Sequence, residues 1–173
     1  MHGRPQRAGP LPLRMEAFMR KILVSACLYG GEPVRYDGKP CPCTSPVFLR
    51  WKEEGRLVPV CPETAGGMGV PRLPSEITGD RVLSSSGEDV TEYFARGAAA
   101  ALGLARENCA AFAVLKEGSP SCGSGRIHDG SFSGACVKGQ GMAAQALAEA
   151  GFRVFSEEGL DEAAEFLCSR PGL

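Results

Sequence analysis

Three cysteines of this chain stand at the ends of short apolar segments. Cys27 directly follows KILVSA, Cys61 directly follows RLVPV, and Cys122 comes a few residues after AAFAVL. Such segments are typical of strands buried in a parallel sheet, and ligands bind at the carboxyl edge of open α/β sheets. Because neighbouring strands lie about 4.8 Å apart, their loops can bring three thiols together. We therefore predict one shared three-cysteine site.

Three thiolates at one point repel each other, so this site is expected to hold a metal centre or to serve catalysis. Zinc requires a fourth ligand and commonly uses C-x-x-C pairs, which the chain lacks. A [4Fe–4S] cluster accepts cysteines from separate loops, and three of them leave one iron open to a substrate. A cysteine nucleophile is the third alternative, but only His2 and His128 could assist it. We interpret His128 as a loop or surface residue.

Polar residues accompany the three cysteines. Glu63 lies two positions after Cys61 and is a candidate for proton transfer, with a helix-capping or ion-paired carboxylate as the alternative. The glycine- and serine-rich segment 118–134 offers amides and hydroxyls to anionic or carbonyl oxygens, unless it is an ordinary tight loop. Arg35 and Tyr36 are candidates for clamping or stacking on a planar ligand.

The other cysteines are predicted to lie outside this site. Cys41 and Cys43 form a C-P-C pair, which leaves open an added redox or metal-binding feature. Cys109 and Cys168 fall within helical patterns, where we expect core positions or partial burial. The chain shows no secretory signal, and cytosolic thiols are kept reduced. A disulfide framework is therefore not expected, and we predict a cytoplasmic protein.

The elements that position these residues alternate between strands and helices. Apolar runs predict strands, and period-3.6 patterns with capping residues predict helices. The strands are expected at residues 21–26, 56–60, 110–115 and 152–155, and the helices at 45–55, 89–109, 141–151 and 160–170. Strands alternating with helices predict a Rossmann-like α/β domain of three layers with a mostly parallel sheet. The strand order does not follow from the pattern.

Length and composition are those of one ordinary domain. The chain has 173 residues, of which 43% are hydrophobic and 23% charged, and its net charge is −1. The charge argues against DNA as a partner, and no apolar run approaches the roughly 18 residues that span a bilayer. Residues 1–18 are interpreted as a flexible tail or a misassigned start, and 19–173 as the domain. Monomer and homodimer both stay open.

Several motifs together resemble the DUF523 family. They are KILVSACLYGGEPVRYDG, LVPVCPETAGGMGVPR, GEDVT, AVLKEGSPSCGSGRIHDGSFSG and GFRVFSEE, which occur in this order between residues 21 and 158. Thiouracil desulfurases are the best-understood members of that family. The resemblance implies a Rossmann-like domain with an oxygen-sensitive [4Fe–4S] cluster, which aerobic preparation can destroy.

The resemblance also assigns roles to residues. Cys27, Cys61 and Cys122 match the cluster-binding cysteines, and the catalytic positions match Glu63 and Ser119, with Ser121 as an additional helper. Gly123 and Ser124 belong to the wall expected to face the substrate. The implied reaction removes sulfur from a thiolated pyrimidine with water, giving the oxo product and sulfide. The substrate is a free base, a nucleoside or a tRNA nucleotide, and the alternative is a non-catalytic metal or iron–sulfur binding module.

Overall fold

A computed structural model describes residues 19–169, so the interpretation of residues 1–18 and the last residues of the domain lie outside it. Four parallel strands form the central sheet: β1 (Ile22–Ser25), β2 (Leu57–Val60), β5 (Phe112–Leu115) and β8 (Arg153–Ser156). Their order is β2-β1-β5-β8, with Ile22 paired to both Leu57 and Phe112. All four predicted strands are confirmed. Pro59 is tolerated because β2 is an edge strand.

The described residues form six helices around the sheet: α1 (Ala26–Tyr29), α2 (Pro46–Glu53), α3 (Pro62–Ala65), α4 (Thr91–Glu107), α5 (Met142–Glu149) and α6 (Leu160–Cys168). Side chains of β1 alternate between the two faces of the sheet, because strand side chains have a period of two. Leu23 packs with α4 and α5, whereas Ile22 and Val24 pack with α2 and α6. The predicted three-layer α/β fold is confirmed.

Small residues along much of the buried face of helix α4 allow it to approach a neighbouring helix closely. Gly97, Ala98, Ala101 and Ala105 are buried along this face. A Cβ atom added to Gly97 would lie 2.0 Å from the carbonyl oxygen of Pro62. Only glycine therefore permits this approach of α4 to α3, the helix that follows Cys61.

Two short antiparallel hairpins were not anticipated. One joins β3 (Ser75–Thr78) to β4 (Arg81–Ser84), and the other joins β6 (Arg126–His128) to β7 (Cys136–Lys138). The first had a signal in its Gly79–Asp80 turn, where Gly79 adopts a φ of +64°. His128, interpreted as a loop or surface residue, is the last residue of β6 and is partly buried.

The expectations for Cys109 and Cys168 were wrong, since both are exposed. Helix α4 ends at Glu107, so Cys109 follows it in a turn with a φ of +49°. Cys168 is the last residue of α6 and lies off its buried face. Among the described residues, no helix is both long and apolar enough to cross a membrane.

Candidate active site

A cavity of about 670 Å³ opens at the carboxyl edge of the parallel sheet. Cys27, Cys61 and Cys122 all line it, as their positions in the sequence predicted. Cys27 lies in α1 directly after β1, Cys61 precedes α3 directly after β2, and Cys122 lies in the loop after β5. The three thiols therefore reach one cavity from three neighbouring strands.

The thiols influence each other electrostatically. The pKa of Cys27 is raised to about 12, mainly by burial and additionally by the charges of Cys61 and Cys41. Burial also raises the pKa of Cys122, and the charges of Cys27, Cys61 and nearby Glu63 act in the same direction. A group of thiolates here is costly unless a positive centre compensates for their charge.

The arrangement fits an iron–sulfur cluster better than zinc. Within residues 19–169, no group of three or more histidine, cysteine or acidic side chains is arranged to hold a single metal ion. Zinc needs its ligands around one atom, whereas the cysteines of a cubane cluster each bind a different iron and stand farther apart. Three thiols that reach one cavity from three separate loops suit the second kind of centre.

Ser119 organises the turn that carries Cys122. Its hydroxyl oxygen accepts hydrogen bonds from the backbone N–H groups of Ser121 at 3.1 Å and Cys122 at 3.2 Å. Ser119 also lines the cavity, and its own hydroxyl proton can be donated into it. One predicted catalytic serine thus stands at the cavity wall and orients a predicted cluster ligand.

Glu117 was not anticipated as a site residue, yet its buried carboxylate holds the whole Cys122 loop. It accepts five hydrogen bonds, which come from the N–H groups of Gly118, Ser124, Gly125 and Arg126 and from the Ser124 hydroxyl. Burial raises the pKa of Glu117, but these hydrogen-bond donors lower it more. The pKa of Glu117 therefore lies below its ordinary value of 4.5. Its only sequence signal was an acidic residue between a buried strand and a glycine.

Gly123 and Ser124 shape this loop and are not among the residues that line the cavity. The N–H of Gly123 donates to the carbonyl of Ser119 at 2.8 Å, and a Cβ at Gly123 would lie 2.5 Å from the carbonyl oxygen of Arg126. The Ser124 hydroxyl donates to Glu117 at 2.8 Å. Gly123 and Ser124 therefore support the loop through these contacts, although they were expected to belong to the wall that faces the substrate.

Glu63 lines the cavity and is ion-paired, as the alternative to a role in proton transfer expected. One carboxylate oxygen contacts the Arg72 guanidinium at 2.7 Å, and the other accepts from the Ser121 hydroxyl at 3.4 Å. Arg72 additionally donates to the carbonyl of Val34 at 3.0 Å. Ser121 is buried and reaches the site through Glu63. Arg72 was missed because nothing in its loop indicated the direction of its side chain.

The loop after α1 brings a cation and an aromatic ring to the cavity and a fourth thiol close to Cys27. Arg35 and Tyr36 line it, with the guanidinium 5.7 Å from the ring centroid and 3.3 Å from Asp37. Cys41 lies beside Arg35 and close enough to Cys27 to raise its pKa. Cys41 was placed outside the main site from its sequence, but the fold brings it next to a site cysteine.

A parallel α/β sheet whose strand ends present three thiols, a carboxylate and a serine to one cavity is typical of an enzyme with a metal cofactor. The model of the 2-thiouracil desulfurase family matches residues 22–159, and the chain belongs to this family. The family resemblance noted in the sequence is confirmed.

Two relatives are closely similar to this chain. The Bacillus subtilis (strain 168) protein YbbK, described as uncharacterized, is 43% identical over 151 residues, covering 82% of this chain and 98% of its own length. The solved structure of the [4Fe-4S]-dependent thiouracil desulfidase TudS (DUF523Vcz) superimposes with a TM-score of 0.84 at 48% identity. That match covers 87% of this chain and 99% of the other.

Proposed function

We propose that this chain is a [4Fe–4S]-dependent desulfurase that cleaves the C–S bond of thiouracil or a related thiolated pyrimidine. The family and the similarity to TudS support this activity. The observation that carries the proposal is the cavity in which Cys27, Cys61 and Cys122 meet Glu63 and Ser119. The substrate loses sulfur as sulfide and gains oxygen from water, so no oxidant or reductant is consumed.

Cys27, Cys61 and Cys122 would hold the cluster, each through one thiolate. When bound, the cluster supplies a Lewis-acidic iron without a cysteine ligand, which attracts the thiocarbonyl sulfur. The raised pKa values of Cys27 and Cys122 in the free protein mean that their protons must leave when metal binds. Arg35 and Lys116 lower the pKa of Cys27 and thus favour its thiolate.

Glu63 would accept the proton of the attacking water. Its carboxylate borders the cavity and keeps one oxygen for Ser121, while Arg72 binds the other and holds the side chain in place. The Ser119 hydroxyl would orient that water or the substrate oxygen as a donor. Both protons of the water leave as H2S, or as HS− and a proton released to solvent; the one accepted by Glu63 is among them, and the carboxylate is restored.

The partners follow from the same features. We propose a small-molecule pyrimidine, as a base or nucleoside, because the cavity of about 670 Å³ is a normal size for a small ligand. The net charge of −1 gives no support for a DNA partner. All eight cysteines are unpaired, which favours a reducing compartment such as the cytoplasm.

Anaerobic purification with iron and sulfide analysis, followed by a sulfide-release assay with 2-thiouracil, tests the proposal. Cys27→Ala, Cys61→Ala and Cys122→Ala should each lose most of the iron. The exposed Cys168→Ala is the matched control and should retain it. Glu63→Gln should keep the cluster and lose turnover.

Two outcomes would contradict the proposal. A binding module would retain iron in the wild-type protein and release no sulfide. A cysteine-nucleophile enzyme would require one of the three cysteines for turnover and show no dependence on iron.

A further inference from the structure

The segment between β6 and β7 brings an aromatic ring to the cavity in a strained backbone conformation. Phe132 lines the cavity, is 39% exposed, and adopts a φ of +57°. Bulky side chains rarely adopt this left-handed conformation, and such strain is concentrated at functional sites. The ring belongs to none of the three buried clusters of the described residues, so core packing does not explain it.

A buried carboxylate holds this segment in place. One oxygen of Glu76, on β3, accepts hydrogen bonds from the N–H groups of Gly130 at 2.9 Å and Phe132 at 3.0 Å. Gly130 is also tightly docked, since a Cβ there would lie 2.8 Å from the carbonyl oxygen of Ile77. The strained position of Phe132 is therefore maintained by specific contacts with the β3–β4 hairpin.

Ser75, the neighbour of Glu76, points to a ligand in the same cavity. Its hydroxyl oxygen is buried and has no hydrogen-bond partner within residues 19–169, and Ser75 lines the cavity. A buried hydroxyl without a partner is unfavourable, and a missing ligand is one explanation for it. Phe132 and the residue that carries this unsatisfied hydroxyl thus line one cavity.

We propose that Phe132 and Ser75 form the subsite that binds the pyrimidine ring. Phe132 stacks on the planar heterocycle, and the Ser75 hydroxyl exchanges a hydrogen bond with a ring nitrogen or exocyclic oxygen. Glu76 is a positioning residue that holds the aromatic ring in place. This inference rests on the proposed function for its choice of ligand, and it assigns ring recognition to the two hairpins and C–S cleavage to the sheet edge.

The test compares ring binding with turnover in the anaerobically purified holoprotein. Calorimetry gives the Kd of uracil, which cannot be desulfurated, and sulfide release from 2-thiouracil gives KM and kcat. Phe132→Ala should raise both the uracil Kd and KM on the order of 5- to 150-fold, the range of one base–aromatic stack. Its kcat should change less than about threefold, because the cysteines and Glu63 are untouched.

Paired variants separate stacking from folding. Phe132→Tyr keeps the aromatic face and should bind uracil nearly as the wild type does, whereas Phe132→Leu keeps apolar volume and should bind weakly. Ser75→Ala should raise the uracil Kd by about 5- to 10-fold, the loss of one hydrogen bond. Val137→Ala, on the exposed face of β7, is the matched control and should leave Kd, KM and kcat unchanged.

Glu76 is tested through the same measurements. Glu76→Ala should raise the uracil Kd as Phe132→Ala does, and Glu76→Gln, which keeps an oxygen for the two amides, should restore most of the binding. The inference is overturned if Phe132→Ala and Phe132→Leu bind uracil as the wild type does, or if the wild type does not bind uracil. If uracil binding depends on Phe132 but the wild type releases no sulfide, the proposed function fails and the subsite stands.

Discussion

Replacing Glu117 by glutamine should loosen the loop that carries Cys122 while keeping its shape. The amide oxygen can replace the carboxylate oxygen that accepts from four backbone N–H groups, and the amide nitrogen can donate to the Ser124 hydroxyl. Hydrogen bonds to a charged group contribute about 1 kcal/mol more than neutral ones. Four of the five are 3.1 Å or shorter, and since such terms are not additive we expect a loss of about 2–3 kcal/mol.

Equilibrium urea unfolding of the chelator-treated protein measures this loss, because removal of iron keeps the transition reversible. Glu158→Gln is the matched control: Glu158 pairs with Arg126, the first residue of β6, but both side chains are about half exposed. An exposed pair contributes about 0–1 kcal/mol. The reasoning is refuted if Glu117→Gln costs no more than Glu158→Gln. Glu117→Gln should also hold less iron than the wild-type protein after anaerobic gel filtration.

The pH dependence of this difference has a defined sign. The pKa of Glu117 is lowered in the folded protein from its ordinary value of 4.5, so the charged form is the one that folding stabilises. Its contribution is complete above that value and is lost as the pH falls through the lower pKa of the folded state. The free-energy difference between wild type and Glu117→Gln should therefore be constant near neutral pH and shrink in acid. A difference that grew as the pH fell would contradict this assignment.

Two further predictions concern the position of Cys61 and its neighbours. Gly97→Ala should destabilise the fold by about 2 kcal/mol or more, because its Cβ would overlap the Pro62 carbonyl. Gly103 lies in open space on the same helix, so Gly103→Ala should stabilise the fold by up to about 1 kcal/mol. Equal urea midpoints for the two variants would disprove this prediction. Arg72→Met should lower the free energy of unfolding by about 3–5 kcal/mol, because it leaves the Glu63 carboxylate largely buried and unpaired. Arg72→Lys keeps the positive charge and should lower it clearly less. Equal losses in the two variants would show that the charge pair is not responsible.

The strands and long helices could be predicted from sequence because their signals are local. Continuous apolar runs predict buried strands, and glycines such as Gly55 and Gly151, both at positive φ, end the helices that precede them. The convergence of the three cysteines also followed, since parallel strands end at one edge. These inferences need only periodicity and the handedness of α/β units.

The remaining features depend on how loops dock, which no local pattern encodes. Glu117 acquires its role only when the following loop wraps around its carboxylate, and Arg72 only when its loop returns to Glu63. Cys41 reaches the neighbourhood of Cys27 because the N–H of Cys43 binds the carbonyl of Leu28 at 2.8 Å. Each of these contacts joins two segments that no local sequence pattern predicts to meet.

The three cysteines lie far apart along the chain, so their site depends on pairing between distant segments. Cys27 and Cys61 approach Cys122 only after β1 has paired with β2 and β5, which places Ile22 beside Phe112. Long-range strand pairing of this kind forms more slowly than local contacts, because the cost of closing the intervening loops comes first. The complete set of three cysteines is therefore brought together only when these strands have paired.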